Sequence, residues 1–171
     1  MNTNGFFTET QRFKQWWIWI LLLGMDCLFL YGIIKQAVFE QQFGNKPMSN
    51  TWLLITFGLT LLMTLLLVCC RLETRINEDG IYVRFFPLQF THKKFSWAEV
   101  SKLYLRQYRP MAEYGGWGIR YGVNGKAYNV SGNMGLQLEF ISGEKLLIGT
   151  NRPKELTETL ISMGKINFGQ N

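Results

Sequence analysis

The sequence predicts an α-helical transmembrane hairpin followed by a mainly-β domain. That domain has about seven antiparallel strands, folded as a bent sheet or open barrel with a C-terminal capping helix. Three observations carry the prediction. Two apolar runs, 16–34 and 52–70, hold nineteen residues each, which at helical rise is roughly 28 Å, close to the hydrocarbon thickness of a bilayer. From residue 72 apolar and polar residues alternate, with turn dipeptides between the runs, the period of half-buried strands. After Thr150 the period becomes helical, with Pro153 and Glu155 in the first turn and Leu156, Leu160 and Ile161 on one face.

Residues 1–15 carry Phe6, Phe7, Arg12, Phe13 and Lys14 ahead of Trp16-Trp17, and Thr8 to Gln11 has the spacing of a capping box. A short interfacial helix merging into the first span is expected there. The first run is too long for a signal-peptide core, and no small-x-small site follows it, so it is read as a retained helix. Lys35, Glu40 and Lys46 lie in the connection, with Pro47 before the second run. Arg12, Lys14, Arg71 and Arg75 at the outer ends outnumber Lys35 and Lys46, which places both termini on the cytoplasmic side. The expected organisation is an interfacial segment at 1–15, a hairpin at 16–70 with spans at about 16–38 and 51–70, a domain at 71–166 and a tail at 167–171.

Within the domain, Leu72, Thr74 and Ile76 alternate with Glu73, Arg75 and Asn77 up to the Asp79-Gly80 turn, and Ile81, Val83 and Phe85 continue beyond it. Runs at 90–97 and 100–108 read as further strands. Asn124-Gly125 and Ser142-Gly143-Glu144 mark two more hairpins. Ile76-Asn77-Glu78-Asp79-Gly80-Ile81, the Phe95-Ser96-Trp97 step with Glu99-Val100, and Gly149-Thr150 leading to Pro153 and Glu155-Leu156 together resemble the pleckstrin-homology (PH) superfold. The resemblance is narrower to bacterial PH-like membrane proteins with two helices ahead of the domain, and it covers about 72–164. It implies a membrane-tethered module in the bacterial inner membrane, of uncharacterised biochemistry. The basic pocket by which eukaryotic relatives hold phosphoinositides is not matched, because the corresponding turn is the acidic Asn77-Glu78-Asp79-Gly80.

Charge and composition narrow the function classes. The net charge is +6, and residues 71–171 hold 14 Lys/Arg against 9 Asp/Glu. A basic domain beside a bilayer points to anionic headgroups, and no recognition-helix pattern points to nucleic acid. Cys27, Cys69 and Cys70 all lie outside the domain, so no disulfide framework is expected in it. His92, the single histidine, sits beside Lys93 and Lys94 on an expected exposed strand, with no second ligand spaced for a metal. No nucleophile constellation emerges, and neither enzyme activity nor a cofactor is expected.

Two stretches stand out. Residues 106–135 gather Arg106, Arg109, Tyr114, Trp117, Arg120 and Tyr121 with Gly115-Gly116 and Gly118. Read functionally, this is a binding loop for an acidic group, a headgroup or a partner peptide. Read structurally, its glycines serve a tight connection and Trp117 packs in the core. It matches no nucleotide-loop pattern, and it precedes a strand rather than a helix. The second stretch is in the spans. Asp26 is the one charge inside either run, and Thr56, Thr60 and Thr64 form a stripe on the other. Counting from the run midpoints gives Asp26 the depth of Thr60, so an Asp26–Thr60 contact is expected, with Thr64 a turn away. The functional expectation is a membrane-anchored binding or scaffolding module, in contact with membrane lipid and with a protein partner or itself. The alternative is a structural subunit of a membrane homo-oligomer.

Overall fold

The computed structural model describes residues 6–44 and 46–166. The tail expected at 167–171, and the first five residues of the expected interfacial segment, lie outside them. The chain forms two compact units: Lys14–Cys69, and the chain on either side of it.

In the first unit, α1 (Trp16–Ile33) runs into a π turn (Ile34–Val38), and α2 (Asn50–Cys69) follows. Trp16–Val38 and Asn50–Cys69 are long and apolar enough to cross a membrane, and about a tenth of each is buried. Leucines such as Leu21, Leu54 and Leu62 stand exposed along them. The connection is tied locally. Gln36 Nε2 donates to the Met48 carbonyl (2.6 Å) and to Asn50 Oδ1 (2.7 Å). The Phe43 ring lies where a Cβ on Gly32 would meet it at 3.0 Å.

The other unit is built from two sheets. One has the order β1-β2-β3-β4, from Phe7–Arg12, Arg71–Asn77, Gly80–Phe86 and Lys93–Phe95. The other has the order β5-β8-β9-β7-β6, from Val100–Gln107 (β5), Gly118–Gly122 (β6), Gly125–Asn129 (β7), Met134–Phe140 (β8) and Lys145–Thr150 (β9). Leu72, Ile76, Ile81, Val83 and Phe85 from the first meet Tyr128, Val130, Leu136, Leu138 and Ile148 from the second. The short α3 (Pro110–Tyr114) lies between β5 and β6, and α4 (Pro153–Ser162) adds Leu156 and Leu160 to the core.

Three expectations are corrected. Residues 7–12 form a strand, not an interfacial helix: β1 pairs antiparallel with β2 from Phe7↔Ile76 to Arg12↔Arg71. Its inward residues are Phe7, Glu9 and Gln11, so the apolar alternation that announces a strand is missing. The polar pair is satisfied inside instead. Glu9 accepts from Thr150 Oγ1 (2.6 Å) and the Asn151 amide (2.9 Å), and Gln11 Nε2 donates to the Gly149 carbonyl (2.7 Å). Second, the described residues form nine strands in two sheets, neither closed, and β7 pairs parallel with β9 (Lys126↔Leu146 to Tyr128↔Ile148), so the domain is not wholly antiparallel. Third, the strand expected at 90–97 shrinks to Lys93–Phe95, because Ser96 caps a 3₁₀ turn at Trp97–Glu99 by accepting from the Ala98 amide.

Candidate functional site

The stretch 106–124 is organised by a side chain that the sequence presents as a binding residue. Arg106 leaves β5 beside Gln137 on the neighbouring β8 and donates to Gln137 Oε1 from Nε (2.9 Å). Its other nitrogens reach the Tyr114 hydroxyl (3.1 Å) and Glu113 Oε2 (2.8 Å). Arg106 therefore clamps α3 to the sheet. Pro110 starts α3 and Gly115 ends it in the left-handed region at φ 68°. Glu113 also accepts from the Arg109 amide (2.7 Å) and Asn124 Nδ2 (3.1 Å). Burial pushes the Glu113 carboxyl up, but the Arg109 amide, Arg106 and Asn124 outweigh it and hold its pKa below the usual value. Tyr114 is buried edge-on to Tyr108, ring centroids 6.1 Å apart. Gly122 permits the close approach of α3 to β6, since a Cβ there would sit 2.0 Å from the Glu113 carbonyl oxygen.

The six expected binding residues are therefore not one site. Arg106 and Tyr114 are engaged within the fold. Trp117 is half-buried, and its carbonyl accepts from Arg120 Nε (3.0 Å). Arg109 is exposed and lines an open groove of about 650 Å³ with Tyr108, Met111 and Asn133. Tyr121, also exposed, lines a different groove of about 540 Å³ with Lys93, Val123, Lys126 and Lys145.

That second groove is the most chemically distinctive surface of the β unit. Its lysines come from β4, β7 and β9, and Glu144 is the one carboxylate in the lining. Lys126 Nζ lies 5.3 Å from the Tyr121 ring centroid and 4.9 Å from that of Tyr128. Burial works to lower its pKa, but the Tyr128 and Tyr121 phenols raise it above the ordinary value, so the ammonium is charged. Lys145 reaches Glu139 Oε1 at 3.4 Å. Such a surface can hold a carboxylate-rich or phosphate-bearing group, with Tyr121 and Val123 as apolar contacts. Lys126 and Lys145 are functional candidates that sequence reasoning passes over. The one signal was the Lys93-Lys94 charge run, because the three cations meet only through non-local pairing.

In the helical unit Asp26 accepts from Thr64, not Thr60: Thr64 Oγ1 to Asp26 Oδ2 is 2.7 Å. The Thr60 hydroxyl bonds its own helix at the Phe57 carbonyl (3.0 Å). Helical side chains lean toward their own N-terminus. In an antiparallel pair the Asp26 carboxylate thus leans away from the connecting loop, while the Thr64 hydroxyl leans toward it. The two meet one turn beyond the residue matched by Cα depth. His92 also differs from expectation. It is half-buried in a loop with Nε2 3.4 Å from Glu73 Oε2, and burial followed by the Arg84 and Arg75 charges holds its pKa below the usual value. Among the described residues no group of three or more His, Cys, Asp or Glu is placed to hold a metal.

Compared with family models, residues 1–166 match the "Family of unknown function (DUF6141)". No curated protein matches the sequence.

Proposed function

The chain belongs to that family, and we propose that it is a membrane-anchored, non-enzymatic binding module whose PH-like β unit holds an acidic segment of a protein partner at the cytoplasmic face of a bacterial inner membrane. The observation that carries this reading is the convergence of Lys93, Lys126 and Lys145 around Tyr121 and Val123 in one open groove. Three cations from three strands are well arranged to meet several carboxylates at once, and electrostatic attraction raises the rate of encounter. The anchor is supported by two helices that leave most of their leucine-rich surface uncovered, a costly arrangement in water and a favourable one in lipid. The PH-like reading is supported by two sheets enclosing one core with a final helix packed on it. The parallel β7–β9 pairing is a departure from the expected pattern.

Affinity purification of the full chain from native membranes tests the reading. Lys126→Glu with Lys145→Glu is expected to release the captured partner, and rising salt is expected to weaken capture. Arg109→Ala, in the other groove, is expected to leave capture unchanged. Equal capture by the double variant and the wild type would reject the groove as the site. The homo-oligomer reading predicts crosslinked self-multiples instead. Within the hairpin Asp26 Oδ2 accepts from Thr64, while its buried Oδ1 has no hydrogen-bond partner among the described residues.

A further inference from the structure

The end of the β unit from which the chain passes into the two apolar helices has a reversed polarity. Register places Arg12 opposite Arg71 and Arg71 opposite Phe86 there. Arg12 lies four residues before Trp16, where α1 begins, and Arg71 two residues after Cys69, where α2 ends. Beyond Phe86 the loop turns its polar residue inward and its apolar residues out. The Gln89 amide donates to the Phe85 carbonyl (2.8 Å), Gln89 Oε1 accepts from the Phe85 amide (3.3 Å), and Gln89 Nε2 donates to the Tyr128 hydroxyl (3.1 Å). Leu88 and Phe90, on either side, are 69% and 75% exposed. Arg84 donates to the Phe90 carbonyl (3.2 Å), and the Phe86 and Phe90 rings meet edge-on at 5.9 Å. The apolar tip is therefore held outward by a built scaffold.

Charge at this end is also unbalanced. Glu73 pairs with both Arg71 (2.8 Å) and Arg84 (2.6 Å). Arg12 is exposed, with no partner among the described residues, and faces a like charge across the ladder, an arrangement that is unfavourable without a counter-charge. Fixed apolar tips ringed by guanidiniums are the composition of a surface that sits at the headgroup boundary.

We propose that loop 86–90, with Arg12 and Arg71, is a lipid-interface surface: Leu88 and Phe90 enter the boundary between headgroups and acyl chains of an anionic bilayer, and Arg12 and Arg71 meet its phosphates. This rests on the reading of the two helices as membrane spans. A bilayer is favoured over a protein partner because Arg12 and Arg71 lie within four residues of the helix ends, a reach of at most about 14 Å, and the register sets Phe86 opposite Arg71.

The test places the photocrosslinker p-benzoylphenylalanine singly at Leu62, Phe90 or Asp79 in the full chain. Each variant is reconstituted into vesicles of phosphatidylcholine with phosphatidylglycerol. Leu62 lies within α2, and Asp79 at the opposite end of the β2–β3 hairpin from Arg71. The proposal expects lipid adducts at Leu62 and Phe90, and several-fold fewer at Asp79. It expects the Phe90 yield to fall several-fold in phosphatidylcholine alone, or when Arg12→Gln is added. Adducts at Leu62 without adducts at Phe90 would overturn the interface and leave the span reading standing. No adducts at Leu62 would overturn both. Equal yields at Phe90 and Asp79, or a Phe90 yield indifferent to lipid charge, would also overturn the proposal.

Discussion

Arg106→Met separates a residue that holds the fold from one that holds a ligand. Methionine keeps the stem of the side chain and removes four polar contacts, of which the exposed one to the Gln107 carbonyl (3.4 Å) matters least. The bond to Gln137 matters most, because Gln137 is 1% exposed and its Oε1 loses the donor 2.9 Å away. An orphaned buried acceptor costs about 1–3 kcal/mol. Loss of the charge-assisted bond to the buried Tyr114 hydroxyl adds about 1 kcal/mol. The ion pair to Glu113 joins side chains 21% and 23% exposed, and a partly solvated pair adds no more than about 1 kcal/mol. Glu113 itself keeps the Arg109 amide and Asn124. The sum, about 2–5 kcal/mol, lowers the melting temperature of a domain this size by roughly 10–25 °C. Thermal unfolding of the full chain in micelles, followed by near-ultraviolet circular dichroism, reads the loss. Arg109→Ala in the same assay is expected within about 0.5 kcal/mol of wild type. Arg106→Met as stable as wild type but deficient in partner capture would refute the clamp and restore Arg106 as a ligand residue.

Three further outcomes follow from the geometry. Thr64→Val removes the hydroxyl donated to Asp26 and is expected to weaken the helix pair by about 0.6–2 kcal/mol, read by unfolding in mixed micelles. Thr60→Val is expected to have little effect, and an equal loss would restore the Thr60 pairing. The Tyr108 phenol is pushed up to about 12, chiefly by burial. A raised folded pKa favours the neutral form, so its contribution to stability is complete below pH 10 and lost as pH rises from 10 through 12. That amounts to about 3 kcal/mol. The stability difference between wild type and Tyr108→Phe should move by that amount over this window, and a flat difference would reject the assignment. Gly122→Ala drives a methyl into the Glu113 carbonyl oxygen and is expected to cost at least about 1–3 kcal/mol, with faster amide exchange over Pro110–Tyr114; wild-type exchange there would contradict the close packing.

What the sequence made legible is what is local. Asp79-Gly80, Asn124-Gly125 and Ser142-Gly143 each turn a hairpin within a few residues, and each hairpin is present. The two long apolar runs and the last amphipathic helix depend on composition and period alone, and both apolar helices and the final helix are present as well. β1 was hidden because Glu9 and Gln11 are its inward residues, satisfied by Thr150, Asn151 and Gly149 from the far end of the chain. The parallel β7–β9 pairing has no turn to announce it. The site divides in the same way. Tyr121 stood out with the arginines and glycines of the stretch 106–135, whereas Lys126 and Lys145 become neighbours only after β9 lies against β7. Arg106 misled because an arginine near glycines looks the same whether its guanidinium faces solvent or a buried glutamine thirty-one positions on.

The pairing of β1 with β2 makes the helical hairpin an interruption inside another unit's sheet. During synthesis Phe7–Arg12 leaves the ribosome first, and its ladder partner Arg71–Asn77 follows only after residues 13–70. At 5–20 residues per second that delay is about 3–12 s. The β2–β3 hairpin closes through its own Asp79-Gly80 turn without waiting, so for the nascent chain β1 is a late addition to an edge already formed. Until it arrives, that edge is an open template for any other extended segment. The protection is the tether itself: the hairpin returns the chain to where it started and keeps β1 at high local concentration beside the strand it must complete. The same fifty-odd residues that form the two apolar helices thus also keep the first strand beside the strand it completes.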